Sequence, residues 1–367
     1  MAKRRIVISG YYGFNNAGDE AMLTAILQDL RNNYEDLDIT VISGNPSKTA
    51  SAMSVHAIPR FSLWQIVKTV MHSDLLISGG GSLLQDVTSW KSMVYYLSII
   101  TLAVTFRKKV FLYSQGIGPV RYRVIRVLLK EVLNRGVTAI TVRDKESKGF
   151  LERLGVKTKI YLTADAVLSL PPVSKHIGQE ILSHAGISFE KKNIGISVRS
   201  WNTSAGWMEG FRKYISDLSK REACRFVFIP MQYPEDVRAA KKLAQGLPNC
   251  YILDQSYSIK ELLSLTASMD VLVGMRLHAL VFSAINHVPM IGISYDPKID
   301  NFLTLIGKKA ACSVTSFSPD LLCRETEREM HTVYTKEDWA LTDALCKRAD
   351  KNIEILKSVF TSKEDLA

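Results

Sequence analysis

The sequence lacks an apolar run long enough to cross a membrane. The longest, "MVYYLSIITLAVTF" at residues 93–106, has 14 residues, whereas a membrane-spanning helix needs about 20. We therefore expect a buried helix in this region. The first ten residues, "MAKRRIVISG", enter a strand pattern almost at once and contain no long apolar segment, so we also expect no secretory signal.

Cysteine is scarce. The five cysteines form no Cys-x-x-Cys pair and do not alternate with histidine in a metal-binding pattern, so the sequence does not predict a structural metal site. An odd number of widely spaced cysteines is typical of reduced thiols. We therefore expect a cytoplasmic protein.

The motifs of several common enzyme classes are also missing. The glycines near the N-terminus do not have Gly-x-Gly-x-x-Gly spacing, so a dinucleotide site is not predicted. No Asp-x-Asp pair lies at the end of a predicted strand, which disfavours a metal-bridged nucleotide-sugar site. A Gly-x-Ser-x-Gly elbow is absent too, as is any Ser/His/Asp arrangement, so a serine hydrolase is not indicated.

Positive charge is present in excess. The chain has a formal net charge of +11, which favours an anionic partner such as nucleic acid, an acidic membrane face or a phosphorylated substrate. No basic stripe is interleaved with aromatic residues, and no nucleic-acid-binding motif is present. We therefore expect no nucleic-acid partner.

Short apolar runs alternate with helical patterns along most of the chain. Because most of these runs are continuous, they are typical of parallel strands covered on both faces. The alternation predicts an α/β fold with two Rossmann-like halves. The predicted strands are residues 5–10, 38–44, 74–80, 109–116, 138–144, 159–165, 193–200, 225–230, 250–254, 270–275 and 288–296. Helices of the first half are predicted near 18–33, 61–72, 89–106, 120–135 and 144–154.

The length of 367 residues exceeds what one hydrophobic core usually serves. We predict an N-terminal Rossmann-like domain at 1–171, a linker region at 172–192, a C-terminal Rossmann-like domain at 193–335, and a C-terminal helix and tail at 336–367. The linker prediction rests on Pro-Pro, glycine and mixed charge, which interrupt the strand–helix rhythm. In proteins of this kind, ligands bind outside the carboxyl ends of the strands, in the cleft between the halves.

Three loops at predicted strand ends of the first half combine glycine with polar side chains. They are "SGYYGFNNAGDEAML" (9–23), "SGGGSLLQD" (78–86) and "YSQGIGPV" (113–120). Tight turns, helix capping and close packing explain each loop taken alone. Amides and exposed backbone N–H groups can also bind a sugar or an anion. The candidate ligand-binding residues of these loops are Phe14, Asn15, Asn16, Asp19, Glu20, Gly80, Gly81, Gln85 and Gln115.

Arginine follows predicted strands in both halves. Arg143 ends the strand of "TVRD", Arg199 lies in "SVRSW", and Arg276 and His278 lie in "GMRLHAL". An arginine fork binds carboxylate or phosphate with two parallel hydrogen bonds, as lysine cannot. A surface ion pair with Asp144 is an alternative role for Arg143, and a structural cap is an alternative role for His278.

The ordered set "GYYGFNNAGDEAML", "SGGGSLLQD", "SQGIGP", "VRD" and "GMRLHAL" resembles the polysaccharide pyruvyl transferase family over residues 5–300. Within that family it is most similar to the bacterial ketal pyruvyltransferases of secondary cell-wall polymers. The resemblance implies a GT-B-like fold, with two Rossmann-like domains facing across a cleft. It also implies phosphoenolpyruvate as the donor, with no metal and no cofactor. The implied acceptor is a lipid-linked saccharide that ends in β-N-acetylmannosamine and is bridged at O4 and O6.

The resemblance also implies roles for residues. Arg143, Arg276, Leu277 and His278 would surround the donor, and its strand-end position adds Arg199 to this set. The glycine loops of the first half would hold the acceptor, together with Asp165 at the end of the strand 159–165.

The chemistry of phosphoenolpyruvate explains why charged residues would stand at these positions. The donor carries a carboxylate and a phosphate, for which Arg143 and Arg276 are fixed cations. The reaction begins with protonation of the enol methylene, so a group that gives and takes protons near neutral pH is needed. His278 is the candidate for that group.

A lipid-linked acceptor would bring the protein to the inner membrane surface. The stretch "VRYRVIRVLLKEVLNR" at 120–135 is basic and amphipathic, which suits an anionic leaflet. An ordinary surface helix with its apolar side in the core fits the same pattern equally well.

Two other functions compete with pyruvyl transfer. A GT-B glycosyltransferase using a nucleotide sugar explains the fold, but the Arg/His cluster has more charged groups than binding a diphosphate requires. A non-catalytic basic protein that binds nucleic acid or an acidic polymer explains the net charge, but the sequence has no basic stripe interleaved with aromatic residues and no known binding motif.

Overall fold

The computed structural model describes residues 3–87, 89–200 and 206–360. Contacts divide this chain into two units. Unit 1 runs to Phe14, then from Asp19 to Ser169, and resumes at Cys346; unit 2 comprises Asn15–Gly18 and Leu170–Leu345. The predicted tail beyond residue 360 lies outside the described residues.

Unit 1 is built on a seven-stranded parallel sheet. Its strands are β1 (Arg4–Ser9), β2 (Leu37–Ser43), β3 (His56–Pro59), β4 (Leu75–Ser78), β5 (Lys109–Gln115), β6 (Ala139–Val142) and β7 (Ile160–Leu162). They are arranged in the order β3-β2-β1-β4-β5-β6-β7. The central strands are buried on both faces, β4 at every residue, which is why their sequences are continuously apolar.

Helices connect these parallel strands. They are α1 (Ala17–Asn33), α2 (Pro46–Met53), α3 (Leu63–Met71), α4 (Trp90–Thr105), α5 (Arg123–Gly136) and α6 (Lys145–Leu154). Side chains of α4 and α5 such as Met93, Leu97 and Leu129 are buried in one core with Leu76 and Leu112 of the sheet. The predicted buried helix at 93–106 is therefore confirmed.

Unit 2 repeats the design with six parallel strands. They are β8 (Lys192–Ser197), β9 (Cys224–Phe228), β10 (Cys250–Ile252), β11 (Val271–Gly274), β12 (Met290–Ser294) and β13 (Cys312–Ser313), in the order β10-β9-β8-β11-β12-β13. Its helices are α7 (His176–His184), α8 (Gly206–Arg221), α9 (Glu235–Ala244), α10 (Ile259–Ala267), α11 (Leu277–Ile285), α12 (Pro297–Leu305) and α13 (Pro319–His331); α14 (Ala340–Phe360) starts in unit 2 and enters unit 1 at Cys346.

Every predicted strand is confirmed, within a few residues at each end. Two strands, β3 and β13, were not predicted. The short β3 is only half-buried and ends in Pro59, and β13 has two residues. Both lie at the edge of a sheet. An edge strand need not be buried on both faces, so its sequence is less apolar and harder to recognise.

The segment predicted as a linker, 172–192, contains a helix of unit 2. Helix α7 approaches α10 so closely that a side chain at Gly178 would meet the backbone of Ser264. The Gly178 N–H donates to the Ser264 hydroxyl at 2.7 Å. The Pro-Pro pair therefore precedes a packed helix here, Gly178 lies within that helix, and Gly186 follows it.

The order of strands fixes where ligands are expected in each unit. In unit 1 the connections leave in opposite directions from β1 and β4, and in unit 2 from β8 and β11. Such a switch point opens a crevice at the carboxyl ends of the strands. Within the described ranges, none of the helices combines the length and apolar character needed to cross a membrane.

Candidate functional site

The carboxyl edge of the unit 2 sheet gathers polar side chains from four strand ends. Arg199 follows β8, Gln232 follows β9, Arg276 follows β11 and Tyr295 follows β12. The strands β8 and β11 are neighbours at the switch point, so the loops that carry Arg199 and Arg276 leave the sheet side by side. This edge holds the predicted donor residues Arg199, Arg276, Leu277 and His278.

Arg276 is clamped in one orientation. Its Nε donates to Asp236 Oδ2 at 3.1 Å, and its Nη2 donates to Asp236 Oδ1 at 2.5 Å and to Gln232 Oε1 at 3.1 Å. The Asp236 side chain is 2% exposed and that of Arg276 is 13% exposed. The Nη1 hydrogens bond to none of the described residues, so the clamp leaves that edge of the fork for a ligand.

Asp236 is fixed in turn by the backbone. Its Oδ2 accepts the N–H groups of Met231 at 3.1 Å and Gln232 at 2.9 Å. Burial raises the pKa of Asp236 above its usual range, while the Arg276 guanidinium and the two N–H groups oppose that rise. The loop after β9 therefore orients Arg276 through a carboxylate that is itself held at four points.

His278 lies against Gly18, because a Cβ on Gly18 would be 2.1 Å from His278 Nδ1. The short segment Asn15–Gly18 belongs to unit 2. The Ala17 N–H donates to the Met231 carbonyl at 2.7 Å, and the Tyr233 N–H donates to the Asn15 carbonyl at 3.3 Å. Only glycine at residue 18 leaves room for the imidazole in its present place.

Asn15 and Asn16 have backbone roles in this segment. Asn15 has a φ of 56°, a left-handed conformation that asparagine adopts more readily than most residues. Asn16 pairs with Gln232 in an antiparallel bridge, and its Oδ1 accepts the Gly18 N–H at 3.2 Å. The structure therefore places both predicted acceptor residues in unit 2, on the same segment as the contact to His278.

Arg199 is oriented by an aromatic ring. Its Nη1 donates to the Tyr295 hydroxyl at 2.9 Å, and its guanidinium carbon lies 4.8 Å from the centre of the Tyr295 ring. Leu277 is buried at the first position of α11. Because a helix start presents unsatisfied backbone N–H groups, the beginning of α11 adds a third feature suited to an anion.

In unit 1, Arg143 and Asp165 form a second polar group. Arg143 Nη1 donates to Asp165 Oδ2 at 2.9 Å, and Nη2 donates to the Ser82 hydroxyl at 3.1 Å. The two side chains are 10% and 8% exposed. A Cβ on Gly116 would lie 2.9 Å from Arg143 Nε, so this glycine is needed for the guanidinium to lie flat on the loop. The neighbour Asp144 is farther away, at 3.7 Å, and caps α6.

Gln115 is fully buried beneath the glycine loop. Its Nε2 donates to the backbone carbonyls of Ser78, at 3.0 Å, and of Gly79. Gly81 has a φ of 96° and pairs with Gln115 in a parallel bridge, and a Cβ on Gly80 would meet the Met22 sulfur. Gln115 therefore holds the predicted acceptor loop from below, and Gly80 and Gly81 allow that loop its path.

The remaining predicted acceptor residues lie between β1 and α1, in the first turn of α1, or in the loop before α4. Glu20 accepts the Gly13 N–H at 2.7 Å, and burial raises its pKa while the N–H groups of Gly13 and Phe14 oppose the rise. Phe14 stacks on Tyr11 with centroids 4.3 Å apart. Asp19 lies 3.3 Å from the position of a Cβ on Gly81. Gln85 accepts the Val87 N–H at 2.7 Å.

Four functional candidates were missed in the sequence. Asp236 and Gln232 bind Arg276, and Tyr295 orients Arg199. In unit 1, the Arg60 guanidinium lies over the rings of Phe14, Phe61, Tyr95 and Tyr96 at 4.7–5.9 Å. The signal for the first pair was present in "MQYPED" (231–236), where an amide and a carboxylate directly follow a predicted strand.

Comparison with known proteins places these features in a family. The sequence model of the family described as polysaccharide pyruvyl transferase matches residues 16–297. No curated protein matches the chain.

Solved structures share the fold at low sequence identity. UDP-GlcNAc 2-epimerase from Methanocaldococcus jannaschii is 12% identical, with a TM-score of 0.69 over 97% of this chain and 99% of that one. A putative UDP-N-acetylglucosamine 2-epimerase from Listeria monocytogenes is 11% identical, with a TM-score of 0.64 over 99% and 98%. The ADP-heptose lipopolysaccharide heptosyltransferase II from E. coli is 16% identical, with a TM-score of 0.53 over 89% and 98%. The fold is therefore GT-B-like, with two Rossmann-like domains, as the resemblance implied.

Proposed function

The chain is an enzyme that belongs to the polysaccharide pyruvyl transferase family, and from this premise we propose that it transfers pyruvate from phosphoenolpyruvate to a cell-wall polysaccharide precursor. The acceptor in this proposal is a lipid-linked saccharide ending in β-N-acetylmannosamine. The product carries pyruvate as a cyclic ketal across O4 and O6. Membership in an enzyme family removes the alternative of a non-catalytic polymer-binding protein.

The observation that carries the donor assignment is the clamp on Arg276. Asp236 and Gln232 occupy its Nε and Nη2 edges and leave Nη1 for a ligand. Phosphoenolpyruvate has two anionic groups, and Arg199 on the neighbouring strand end gives a second fixed guanidinium. Two arginines whose directions are set before binding lose little entropy when a carboxylate and a phosphate arrive.

The proposed reaction starts with proton transfer to the donor. Protonated His278 gives its proton to the enol methylene, which becomes the methyl group, and the adjacent carbon becomes electrophilic. The first sugar hydroxyl attacks that carbon and passes its proton to the neutral imidazole, so His278 is recharged. The C–O bond to phosphate then breaks, which makes the same carbon electrophilic again, and the second hydroxyl attacks it and gives its proton to the departing phosphate. Two hydroxyl protons thus end on the methyl group and on phosphate.

Unit 1 supplies the proposed acceptor site. Its carboxyl edge carries Asp165, Glu20 and the Gly79–Gly81 loop, which offer carboxylate and backbone groups to sugar hydroxyls. We assign Gln115 a positioning role, because it is buried and bonds the loop carbonyls. Arg143 keeps its proposed role as a cation for the anionic donor, and its ion pair with Asp165 holds it at this edge.

Donor binding tests the proposal without needing the acceptor. We expect phosphoenolpyruvate to bind by calorimetry and to raise the melting temperature, while UDP-sugars do neither. Arg276→Ala should weaken phosphoenolpyruvate binding by roughly ten- to a hundredfold, since a charge-assisted bond is lost. Arg238→Ala, an exposed arginine of the same unit that pairs with Glu235, is the matched control. Stabilisation by a UDP-sugar alone would support a nucleotide-sugar glycosyltransferase instead.

A further inference from the structure

Unit 1 concentrates exposed apolar side chains on one set of helices. In the described part of the chain, the large hydrophobic side chains that are exposed in this unit are Phe61, Leu63, Trp64, Met71, Val87, Trp90, Tyr122, Val124, Val127 and Leu128. All of them lie on α3, α4 or α5, or on the loops that lead into these helices. We call this set the α3–α5 face. Unit 2 has only scattered examples among its described residues, such as Val333 and Leu341.

Helix α5 is apolar on two sides. Ile125, Leu129 and Leu133 face the core and are buried, as an ordinary surface helix requires. Val124 and Val127, however, are 80% and 59% exposed. With Leu128 they follow the i, i+3, i+4 spacing, so they form a second apolar stripe on the outer side of the helix. Packing within unit 1 therefore explains four of the seven apolar residues of α5 and leaves three exposed.

The three helices lie side by side, with α4 in contact with both α3 and α5. The rings of Phe61, before α3, and Tyr95, on α4, are 6.0 Å apart. Asp86, in the loop before α4, accepts the backbone N–H groups of Arg121 and Tyr122 at 2.7 and 2.9 Å, just before α5. Exposed residues of α3 and α5 are thus connected through α4 and the loop in front of it.

The position of this face follows from the topology. Helices α3, α4 and α5 follow β3, β4 and β5 in a parallel sheet, so all three helices start at its carboxyl edge. The exposed aromatic residues at or just before the helix starts are Phe61, Trp64, Trp90 and Tyr122. The α3–α5 face therefore begins beside the loops that carry Gly81 and Gln115.

Charge around the face is mainly positive. The basic residues on α5 and directly before it are Arg121, Arg123, Arg126, Lys130 and Arg135, with Lys91 at the start of α4. The one acidic residue of α5, Glu131, lies 3.5 Å from Arg135. The Lys91 ammonium lies 5.9 Å from the Trp90 ring. A second copy of the same face would be repelled by this charge.

We propose that the α3–α5 face docks on a bilayer that contains anionic lipids. Tryptophan and tyrosine at the helix starts suit the boundary between headgroups and acyl chains. The outer stripe of α5 inserts below the headgroups, while the arginines around it bind lipid phosphates. Docking brings the carboxyl edge of unit 1 to the headgroup layer. This use of the face rests on the proposed function, since a lipid-linked acceptor presents its sugar there.

Vesicle binding tests this proposal without donor or acceptor. We expect the protein to sediment with vesicles of phosphatidylcholine and phosphatidylglycerol, and at least tenfold less with phosphatidylcholine alone. The triple variant Val124→Ser/Val127→Ser/Leu128→Ser should bind the anionic vesicles at least tenfold more weakly. Val333→Ser, at an equally exposed site of unit 2, should bind as the wild type does.

Tryptophan fluorescence gives an internal control. Brominated lipids should quench Trp64 and Trp90, and Trp64→Phe and Trp90→Phe should each remove part of that quenching. Trp201 lies outside the described residues and is replaced by phenylalanine in every protein of this experiment, and Trp207 and Trp339 are 3% and 6% exposed. Quenching that survives in the Trp64→Phe/Trp90→Phe double variant would therefore overturn the proposal.

Other results of the vesicle assay would also overturn membrane docking. Docking by this face would be overturned if the wild type did not sediment with the vesicles, or if the triple variant sedimented equally well. It would also be overturned if the triple variant lost self-association and nothing else. Turnover of a water-soluble acceptor should be equal in the wild type and the triple variant. Because no substrate is present in the vesicle assay, its failure leaves the proposed chemistry untouched.

Discussion

Arg276 shows how the direction of a charged side chain is set by groups that a local motif does not contain. Asp236 and Gln232 bind two edges of its guanidinium, and the backbone of the loop after β9 binds Asp236. The clamp keeps positive charge at the carboxyl edge of unit 2 and fixes where that charge points. In the proposed function, this is what separates a donor-binding arginine from an ordinary surface arginine.

Replacing Asp236 by Asn tests the clamp. The amide can satisfy the backbone N–H groups only by turning its NH₂ towards Arg276, so the guanidinium should leave its present position. We expect KM for phosphoenolpyruvate to rise about tenfold, with a smaller change in kcat. Steady-state kinetics measures both. Glu235→Gln changes the neighbouring exposed carboxylate and should leave KM unchanged. Equal or tighter donor binding in Asp236→Asn would show that the charge of Arg276 matters and its direction does not.

Gly18→Ala tests the place of His278. The added methyl group would be 2.1 Å from Nδ1, so the imidazole must shift, while alanine is a better helix former than glycine. We expect a stable protein whose kcat falls by about a hundredfold and whose donor affinity changes little. Gly206→Ala is the control, because a Cβ there would meet none of the described residues within 4 Å. A normal kcat in Gly18→Ala would contradict a catalytic role for His278.

The sequence predicts which side chains lie near strand ends and not which of them bind one another. Arg199, Arg276 and His278 lie immediately after apolar runs, so their position at a strand end can be inferred. Asp236 and Tyr295 reach the same edge from other strands, and only the order of strands in the sheet brings them there. Asp236 also lies in the first turn of α9, where a carboxylate is expected for a different reason.

At the scale of elements, helix α14 links the end of the chain to unit 1. From Cys346 onward it belongs to that unit. The Thr163 hydroxyl donates to Asn352 Oδ1 at 2.7 Å, and Asn352 Nδ2 donates to the Ala164 carbonyl at 3.2 Å. Asp350 on the same helix faces Asp29 of α1, whose carboxylate accepts the Tyr113 hydroxyl at 2.6 Å.

This contact predicts a pH-dependent stability. Burial, helped by repulsion from Asp350, raises the pKa of Asp29 from 3.8 to about 6, against the hydrogen bond from Tyr113. A raised pKa means that the folded state binds the proton more tightly, so stability is lost as pH rises from about 4 to above 6. Asp29→Asn should therefore raise the unfolding free energy by about 1–2 kcal/mol near pH 8 and by much less near pH 4.

Urea unfolding at the two pH values measures this difference. Glu152→Gln replaces an exposed carboxylate of the same unit and should shift stability by a few tenths of a kcal/mol at most. An Asp29→Asn variant that is less stable near pH 8 than the wild type would contradict the expected sign.

Strands and helices could be predicted from the sequence where consecutive side chains are buried. The central strands have one apolar run each, because both faces are covered. The edge strands β3 and β13 and the short helices α2 and α7 were not predicted, since each buries one face at most and its sequence is mixed. Helix α7 in particular is bordered by Pro-Pro and glycine, which predict a loop when packing against α10 is not known.

At the scale of the whole molecule, two Rossmann-like units of a GT-B-like protein carry different chemistry at the same structural position. Each sheet has its switch point and its glycine or arginine loops at the carboxyl ends. Periodicity in the sequence was enough to predict two Rossmann-like units, and the family resemblance implied that the fold is GT-B-like. It could not predict which residues pair at each edge, because ion pairs such as Arg143–Asp165 depend on the order of strands.

Independence from metal ions is a prediction for the whole enzyme. The anionic donor is met by arginine side chains in the proposal, and the described residues contain no group of three His, Cys, Asp or Glu placed to hold a metal. We expect pyruvyl transfer to continue at the same rate in EDTA as in chelator-free buffer. Loss of activity on chelation, restored by magnesium or manganese, would point to a nucleotide-sugar type of site.

The most direct test of the central claim is product analysis by mass spectrometry. The purified protein is incubated with phosphoenolpyruvate and a saccharide ending in β-N-acetylmannosamine, and released phosphate is measured in parallel. The account predicts that the saccharide gains the mass of pyruvic acid less one water, with one phosphate released for each ketal formed. Arg276→Ala should lower both at a donor concentration that does not saturate the variant. A saccharide unchanged by phosphoenolpyruvate but extended by a UDP-sugar would contradict it.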